Sequence, residues 1–151
     1  MEKGSITKQR ELDKKYLRIA KIWSENSHAE RSKVGAIMVK EGMIISDGYN
    51  GMPSGFDNCC EYKDSNGDLH TKKEVLHAES NALMKLIKTD GPNSTGATLY
   101  VTLSPCIDCA KLIIQAEIKR VVYCNKYRIL DGIDLLKTAG IQTVYIPEEK
   151  L

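Results

Sequence analysis

The stretch LYVTLSPCIDCAKLIIQA, residues 99–116, decides the fold class that this sequence predicts. Residues 99–103 are mostly apolar or β-branched, a composition that predicts a buried strand. After Pro105, apolar residues recur with helical spacing over residues 106–116, which predicts a helix. A buried strand that leads directly into a helix is the repeating unit of α/β proteins, so this fold class is expected.

The alternation of strand and helix continues further along the chain. The pattern of apolar residues predicts a strand over 121–124, a helix over 131–139 and a strand over 141–146. Because helices connect these strands, we expect the strands at 99–103, 121–124 and 141–146 to pair in parallel through right-handed crossovers.

The preceding half of the chain predicts an antiparallel hairpin and two further helices. Helical spacing of apolar residues indicates helices over 11–27 and 78–87, and strands over 34–39 and 43–45 flank a turn at 41–42. Residues from about 50 to 75 are rich in Gly, Asn, Asp and Ser and are interpreted as an inserted loop. The expected structure is one α/β domain over residues 1–151, a three-layer α/β/α sandwich around a five-stranded mixed sheet.

Two short motifs lie where predicted helices begin. The motif H-x-E occupies residues 77–79, and the motif P-C-x-x-C occupies residues 105–109. Cys106 and Cys109 lie one helical turn apart near a helix N-terminus, which stabilises thiolates. With the imidazole of His77 they provide three ligands for tetrahedral Zn²⁺ and leave a fourth position open, as in catalytic zinc sites.

Glu79 follows His77 by two residues, so it can project beside the metal ligand without binding the ion. We expect Glu79 to move protons from an attacking water to a ring nitrogen and then to a departing amine. The combination of H-x-E with P-C-x-x-C is typical of zinc nucleobase deaminases.

Each motif taken alone also has other interpretations. A C-x-x-C pair alone also occurs as a redox motif, and a closed structural zinc would need a fourth ligand such as Cys59, Cys60 or His70. The catalytic reading is favoured because the five motif residues occur together at the expected junctions between elements.

Several segments of the sequence resemble those of the deoxycytidylate (dCMP) deaminases, particularly the bacteriophage enzymes, within the cytidine deaminase-like superfamily. They are VGA at 34–36, GYNGMP at 48–53, LHAESNA at 76–82 and the run from 96 to 111, in the expected order. The resemblance implies hydrolysis of dCMP to dUMP, which supplies thymidylate synthesis, with one catalytic zinc. It also implies a homohexamer that is activated by dCTP with Mg²⁺ and inhibited by dTTP.

The resemblance also suggests roles for residues outside the two motifs. In similar deaminases the residue that matches Asn50 hydrogen-bonds the nucleotide, although an Asn here could also serve only as a turn residue. Residues Gly48, Tyr49 and Gly51 are implicated in effector binding by the same resemblance.

A substrate with a 5′-phosphate requires hydrogen-bond donors and positive charge. Arg31, Ser32 and Lys33, which precede the first predicted strand, are the best candidates for this role. Tyr127 could reach the same group. Each of these residues could equally be an ordinary surface residue, and only the phosphate requirement favours them.

Composition limits the function classes. With 22 basic and 20 acidic residues the net charge is +2, too small for a general nucleic-acid binder. No apolar run is long enough to cross a bilayer, so we expect no membrane association and a cytoplasmic location, the host cytoplasm if the protein is phage-encoded. The five cysteines suggest metal binding or reduced thiols, and we expect Cys59 and Cys60 to be free and buried rather than part of a second zinc site with His70.

Two alternative functions remain open at this point. The chain could be another zinc deaminase that acts on cytidine, guanine or tRNA adenosine, because these enzymes share the same metal ligands. It could also be a noncatalytic zinc module that binds nucleotides. The presence of Glu79 argues against the second alternative, because a binding module has no use for a proton shuttle.

Overall fold

The structure, a computed structural model, describes residues 3–151, so the first two residues of the predicted domain lie outside the described part. The strands are β1 (Gly35–Lys40), β2 (Met43–Tyr49), β3 (Glu61–Lys63), β4 (Leu69–Thr71), β5 (Thr98–Leu103), β6 (Arg120–Asn125) and β7 (Gln142–Tyr145). The helices are α1 (Lys3–Ser24), α2 (Ala78–Ile87), α3 (Ile107–Gln115) and α4 (Asp131–Thr138), with a short 3₁₀ helix at Glu148–Lys150.

Five strands form one mixed sheet in the order β2-β1-β5-β6-β7. Strand β1 pairs antiparallel with both β2 and β5, whereas β6 pairs in parallel with β5 and β7. The predicted hairpin and the predicted parallel pairing of the last three strands are both confirmed.

Helices cover both faces of this sheet, which gives the predicted three layers. Helix α1 packs on one face, where Leu17 and Ala20 meet the sheet residues Ile37, Tyr100 and Val122. Helices α2, α3 and α4 pack on the opposite face and contribute the buried residues Ala78, Ala82, Ala110, Ile113, Ile133 and Leu136. The two short motifs therefore lie on the face that carries three helices.

Two glycines allow backbones to approach closely in this arrangement. A β-carbon on Gly35 would lie 1.9 Å from the carbonyl oxygen of Ala20, so α1 could not pack on β1 at this distance with any other residue. A β-carbon on Gly132 would lie 2.2 Å from the carbonyl oxygen of Pro105, so α4 begins directly against the P-C-x-x-C motif.

A buried ion pair ties α1 to the amino ends of β5 and β6. The Asp13 carboxylate, 2% exposed, accepts hydrogen bonds from Arg120 at 2.7 and 2.5 Å, from the Tyr100 hydroxyl at 2.7 Å and from Gln9 at 3.0 Å. Burial would raise the pKa of Asp13, but the hydrogen bonds from Arg120, Tyr100 and Gln9 outweigh it and lower the pKa.

The structure differs from the sequence prediction at three places. Helix α1 spans Lys3–Ser24 instead of residues 11–27. It begins earlier because residues 8–10 are the good helix formers Lys, Gln and Arg, and it ends earlier because residues 25–27 form a turn with hydrogen bonds to the third residue before each of them. Strand β2 continues to Tyr49 instead of ending at residue 45, since it pairs with β1 along its length. The inserted segment contains a second, two-stranded sheet, β3-β4, instead of loop alone.

In residues 3–151, no helix combines the length and the apolar character that a membrane span requires.

Candidate active site

The metal-ligand candidates occupy the first positions of two neighbouring helices. His77 is the N-cap residue of α2, and Cys106 is the N-cap residue of α3, both with extended backbone conformations. Cys109 lies one turn into α3 and is buried. Because α2 and α3 pack on the same face of the sheet, their N-termini bring the two motifs together.

The three ligand atoms are spaced as a zinc ion requires. The Sγ atoms of Cys106 and Cys109 lie 3.5 and 3.3 Å from the Nδ1 atom of His77, and the three atoms all lie within 4.8 Å of one another. Tetrahedral zinc with ordinary Zn–S and Zn–N bonds places such ligand atoms about 3.5–3.8 Å apart. The geometry of His77, Cys106 and Cys109 therefore fits one zinc ion.

The charges of the two thiols also favour a cation. Hydrogen bonding with Cys109, and then with His77, lowers the pKa of Cys106 to about 4. The hydrogen bond with Cys106 and burial together raise the pKa of Cys109, so the pair holds one thiolate rather than two. The hydrogen bond with Cys106 raises the pKa of His77 as well. A cation at this position would stabilise the second thiolate.

Glu79 is a buried carboxyl group beside this cluster. It lies in the first turn of α2, is only 4% exposed and lines the same pocket as His77 and Cys106. Burial raises the pKa of Glu79 above its ordinary value. A carboxyl group with a raised pKa in a pocket is suited to general acid–base catalysis.

Three of the residues predicted to bind substrate line this pocket. Ser32, Asn50 and Tyr127 share it with Glu79 and the metal-ligand candidates. The amide of Asn50 also shapes the pocket, because its Oδ1 accepts a hydrogen bond from the Val34 N–H at 2.9 Å and its Nδ2 donates to the Ser32 carbonyl at 2.8 Å. Asn50 therefore supports the segment that leads into β1.

The structure places Arg31 and Lys33 on the surface, beside the residues that line the pocket. The Arg31 guanidinium donates a hydrogen bond to the Thr71 hydroxyl at 3.3 Å, and Thr71 does line the pocket. No partner of the Lys33 side chain occurs in the described part of the chain.

Gly48, Tyr49 and Gly51 line a second pocket, whose lining residues differ from those of the first. A β-carbon on Gly48 would lie 2.4 Å from the carbonyl oxygen of Ala78, so close packing of β2 on α2 by itself requires glycine there. Lys85 and Lys88 also line this second pocket; Lys85 is paired with Asp47, and Lys88 adds a positive charge.

Sequence reasoning missed two polar residues of the first pocket. Ser104 precedes the P-C-x-x-C motif, and its hydroxyl accepts a hydrogen bond from the Tyr127 N–H at 2.7 Å. Its position next to the motif was a usable signal. Thr71 lies on β4 in the inserted segment, and no local pattern in the sequence marks it.

The possible extra ligands in the inserted segment do not meet. Cys59 is exposed, contrary to the expectation of two buried thiols, and its thiol donates to the Glu61 carbonyl at 3.3 Å. Cys60 is buried as expected, and burial raises its pKa. His70 instead lies 2.7 Å from Asp64. Within residues 3–151, His77, Cys106 and Cys109 are the one cluster with metal-ligand spacing.

Comparison with known protein families shows the family of the chain. The sequence pattern of the cytidine and deoxycytidylate deaminase zinc-binding region matches residues 10–125, which contain both motifs. The chain belongs to the cytidine and deoxycytidylate deaminase family. The resemblance drawn from the motifs is therefore confirmed, and the protein is a deaminase.

Curated relatives agree with this assignment. The deoxycytidylate deaminase of Enterobacteria phage T4 is 37% identical over an alignment of 174 positions, gaps included. The alignment covers 89% of this chain and 90% of the relative. The deoxycytidylate deaminase of Homo sapiens is 40% identical over 121 residues, which cover 77% of this chain and 66% of the relative.

A solved structure confirms the fold class. The dCMP deaminase from the cyanophage S-TIM5, crystallised in complex with dCMP and dUMP, superposes with a TM-score of 0.83 at 46% identity. The match covers 90% of this chain and 97% of the cyanophage chain.

Proposed function

We propose that this protein catalyses the hydrolytic deamination of dCMP, in which dCMP and water give dUMP and ammonia. The observation that carries the proposal is a single pocket whose walls include His77, Cys106 and Glu79 together with Ser32 and Asn50. Proton-transfer and nucleotide-binding groups are thus within reach of one ligand. The cyanophage protein bound to dCMP and dUMP, which matches 90% of this chain, supports the same substrate.

His77, Cys106 and Cys109 would hold the zinc ion, as their spacing fits its ordinary bond lengths. When bound, zinc supplies Lewis-acid activation of the attacking water. Glu79 is the proton carrier. Its carboxylate takes one proton from the water as the water oxygen bonds to the amino-bearing carbon, and it gives that proton to the neighbouring ring nitrogen. It then takes the second proton from the added hydroxyl and passes it to the amino group, so that the C–N bond breaks, ammonia leaves and a carbonyl remains.

The 5′-phosphate is assigned to residues 29–33, which we call the cradle segment. Within residues 3–151, the backbone N–H groups of Arg31, Ser32 and Lys33 donate to no protein acceptor, while those of Ala29 and Glu30 are bonded. Free donors beside two cationic side chains suit a phosphate. Tyr127, on the same pocket, is assigned to the nucleotide as well, and Asn50 is proposed to donate its second amide hydrogen to it.

We also propose that dCTP with Mg²⁺ activates the protein and that dTTP inhibits it, both at the second pocket with Gly48, Tyr49 and Gly51. The backbone supports a connection to the active site, because Gly51 and Leu76 exchange hydrogen bonds of 3.0 and 2.8 Å and the next residue is His77.

The proposed homohexamer would cover apolar side chains that are exposed on α2 and α3, such as Met84, Ile87 and Leu112. The product dUMP would supply thymidylate synthesis.

Ammonia release from a substrate panel tests this proposal. The panel contains dCMP, CMP, deoxycytidine, cytidine, guanine and an adenosine-containing tRNA stem, each assayed with and without dCTP and dTTP, and bound zinc is measured in the same preparation. We expect dCMP to be the best substrate and zinc to be present at one ion per chain. A zinc-loaded protein that prefers any other compound, or that has no activity on the panel, would contradict the proposal.

A further inference from the structure

The cradle segment is irregular, and the side chains of Ser27, Asn50 and Glu61 hold parts of its backbone. The Ser27 hydroxyl accepts a hydrogen bond from the Ala29 N–H at 3.2 Å. Asn50 bonds both Ser32 and Val34, as described above. Because regular pairing begins only at β1, the shape of this segment depends on these side-chain contacts.

Glu61 is the third side chain that holds the segment. It is the first residue of β3, is only 6% exposed, and both of its carboxylate oxygens accept the Glu30 N–H, at 2.9 and 3.1 Å. This contact lies next to the three free N–H groups assigned to the phosphate. It joins the inserted segment to the cradle segment.

The neighbouring strand makes a second contact of the same kind. Glu61 and Thr71 are directly opposite each other in the β3-β4 pair, and Thr71 accepts the hydrogen bond from the Arg31 side chain. One cross-strand pair therefore contacts two consecutive residues of the cradle segment. Through these contacts the two-stranded β3-β4 sheet, called the small sheet below, holds the cradle segment next to the pocket.

A buried carboxylate is costly unless its charge is compensated. In the described part of the chain Glu61 forms no ion pair, unlike Asp13. We propose that Glu61 is a positioning residue for nucleotide recognition, which keeps the donors of the cradle segment directed at the 5′-phosphate. This inference rests on the proposed function, and it makes the small sheet a determinant of the preference for nucleotides over nucleosides.

The Glu61→Gln variant tests this role because it keeps the size of the side chain and removes its charge. If Glu61 positions the cradle segment, the weaker acceptor raises the KM for dCMP about fivefold to tenfold and leaves kcat within twofold. The kcat/KM for deoxycytidine, which has no phosphate, stays within twofold. If Glu61 acted only as a negative charge near the phosphate, its removal would lower the KM for dCMP, the opposite sign.

The control is Glu74→Gln, which neutralises an exposed glutamate of the same inserted segment and leaves both substrates unaffected. Glu61→Asp, which keeps the charge on a shorter side chain, is expected to raise the KM for dCMP as Glu61→Gln does. An unchanged or lowered KM in Glu61→Gln, or equal losses for dCMP and deoxycytidine in both variants, would overturn the inference. An inactive wild-type protein would instead overturn the proposed function, so the two failures are distinguishable.

Discussion

Two of the buried acidic groups, Asp13 and Glu79, have opposite surroundings. Asp13 lies at the amino ends of β5 and β6, where Arg120 and Tyr100 saturate its oxygens and its pKa is lowered. Glu79 lies by the helix N-termini of the active site, where burial raises its pKa. Their exposed fractions are almost equal, at 2% and 4%.

The comparison shows that partners, rather than burial alone, set the direction in which the pKa of each group is shifted. A carboxylate with a guanidinium partner is held in one charge state and contributes to stability. A carboxyl group buried without such a partner can change its protonation state during a reaction. Replacing each of the two groups should therefore affect a different property of the protein.

The largest expected effect is on turnover. Glu79→Gln removes the proposed proton carrier, and the deamination rate should fall about 10²- to 10⁴-fold, the usual contribution of general acid–base catalysis. The amide has nearly the same shape, so the melting temperature and the zinc content should match the wild type. Steady-state kinetics, thermal melting and metal analysis measure these three properties. Near-normal turnover in Glu79→Gln would remove the proposed proton carrier.

A smaller effect is expected on stability when Asp13 is changed. Asp13→Asn leaves the partly buried Arg120 without its counter-charge, and the free energy of unfolding should fall by about 3–5 kcal/mol. Turnover should stay within twofold at temperatures where the variant is folded, because Asp13 is remote from the pocket. Urea unfolding and dCMP kinetics measure the two properties.

The matched control is Asp134→Asn on α4, whose side chain is exposed and makes no ion pair within residues 3–151. This exposed change should alter the unfolding free energy by less than about 0.5 kcal/mol. Equal losses of unfolding free energy in Asp13→Asn and Asp134→Asn would show that the buried ion pair contributes no more to stability than an exposed carboxylate does.

The smallest expected effect is the acid dependence of stability. The pKa of Asp13 is lowered in the folded protein, so its contribution is fully present above the unfolded value of 3.8 and is lost as the pH falls through the folded pKa. Unfolding free energies measured across this acid range should therefore decrease less steeply in Asp13→Asn than in the wild type. If the unfolding free energies of the two proteins fell in parallel as the pH decreased, a group other than Asp13 would account for the acid dependence of stability.

Local patterns in the sequence predicted most of the sheet and the metal cluster. The helices after residue 97 have apolar residues with helical spacing, and β5 and β6 are short, mostly apolar runs buried on both faces, so hydrophobic patterns identified these elements. The ligand set was also predictable, because Cys106 and Cys109 belong to one helical turn and His77 begins another helix.

The β3-β4 sheet was not predictable in the same way. Each strand has three residues, too few to establish a period-two pattern, and the segment is rich in charged and turn residues. The contacts of Glu61 with Glu30 and of Thr71 with Arg31 join positions far apart in the chain. Such contacts depend on the path of the whole chain, and no local pattern reports them.

The sequence by itself determined which residues can hold a metal and move protons, because those properties belong to side-chain chemistry and to spacing within one turn of a helix. Only the tertiary structure decided which buried carboxylate is neutralised by a cation and which segments enclose the nucleotide pocket. Charge pairing and pocket shape depend on distances between elements that are remote in sequence, and packing of the complete fold sets those distances.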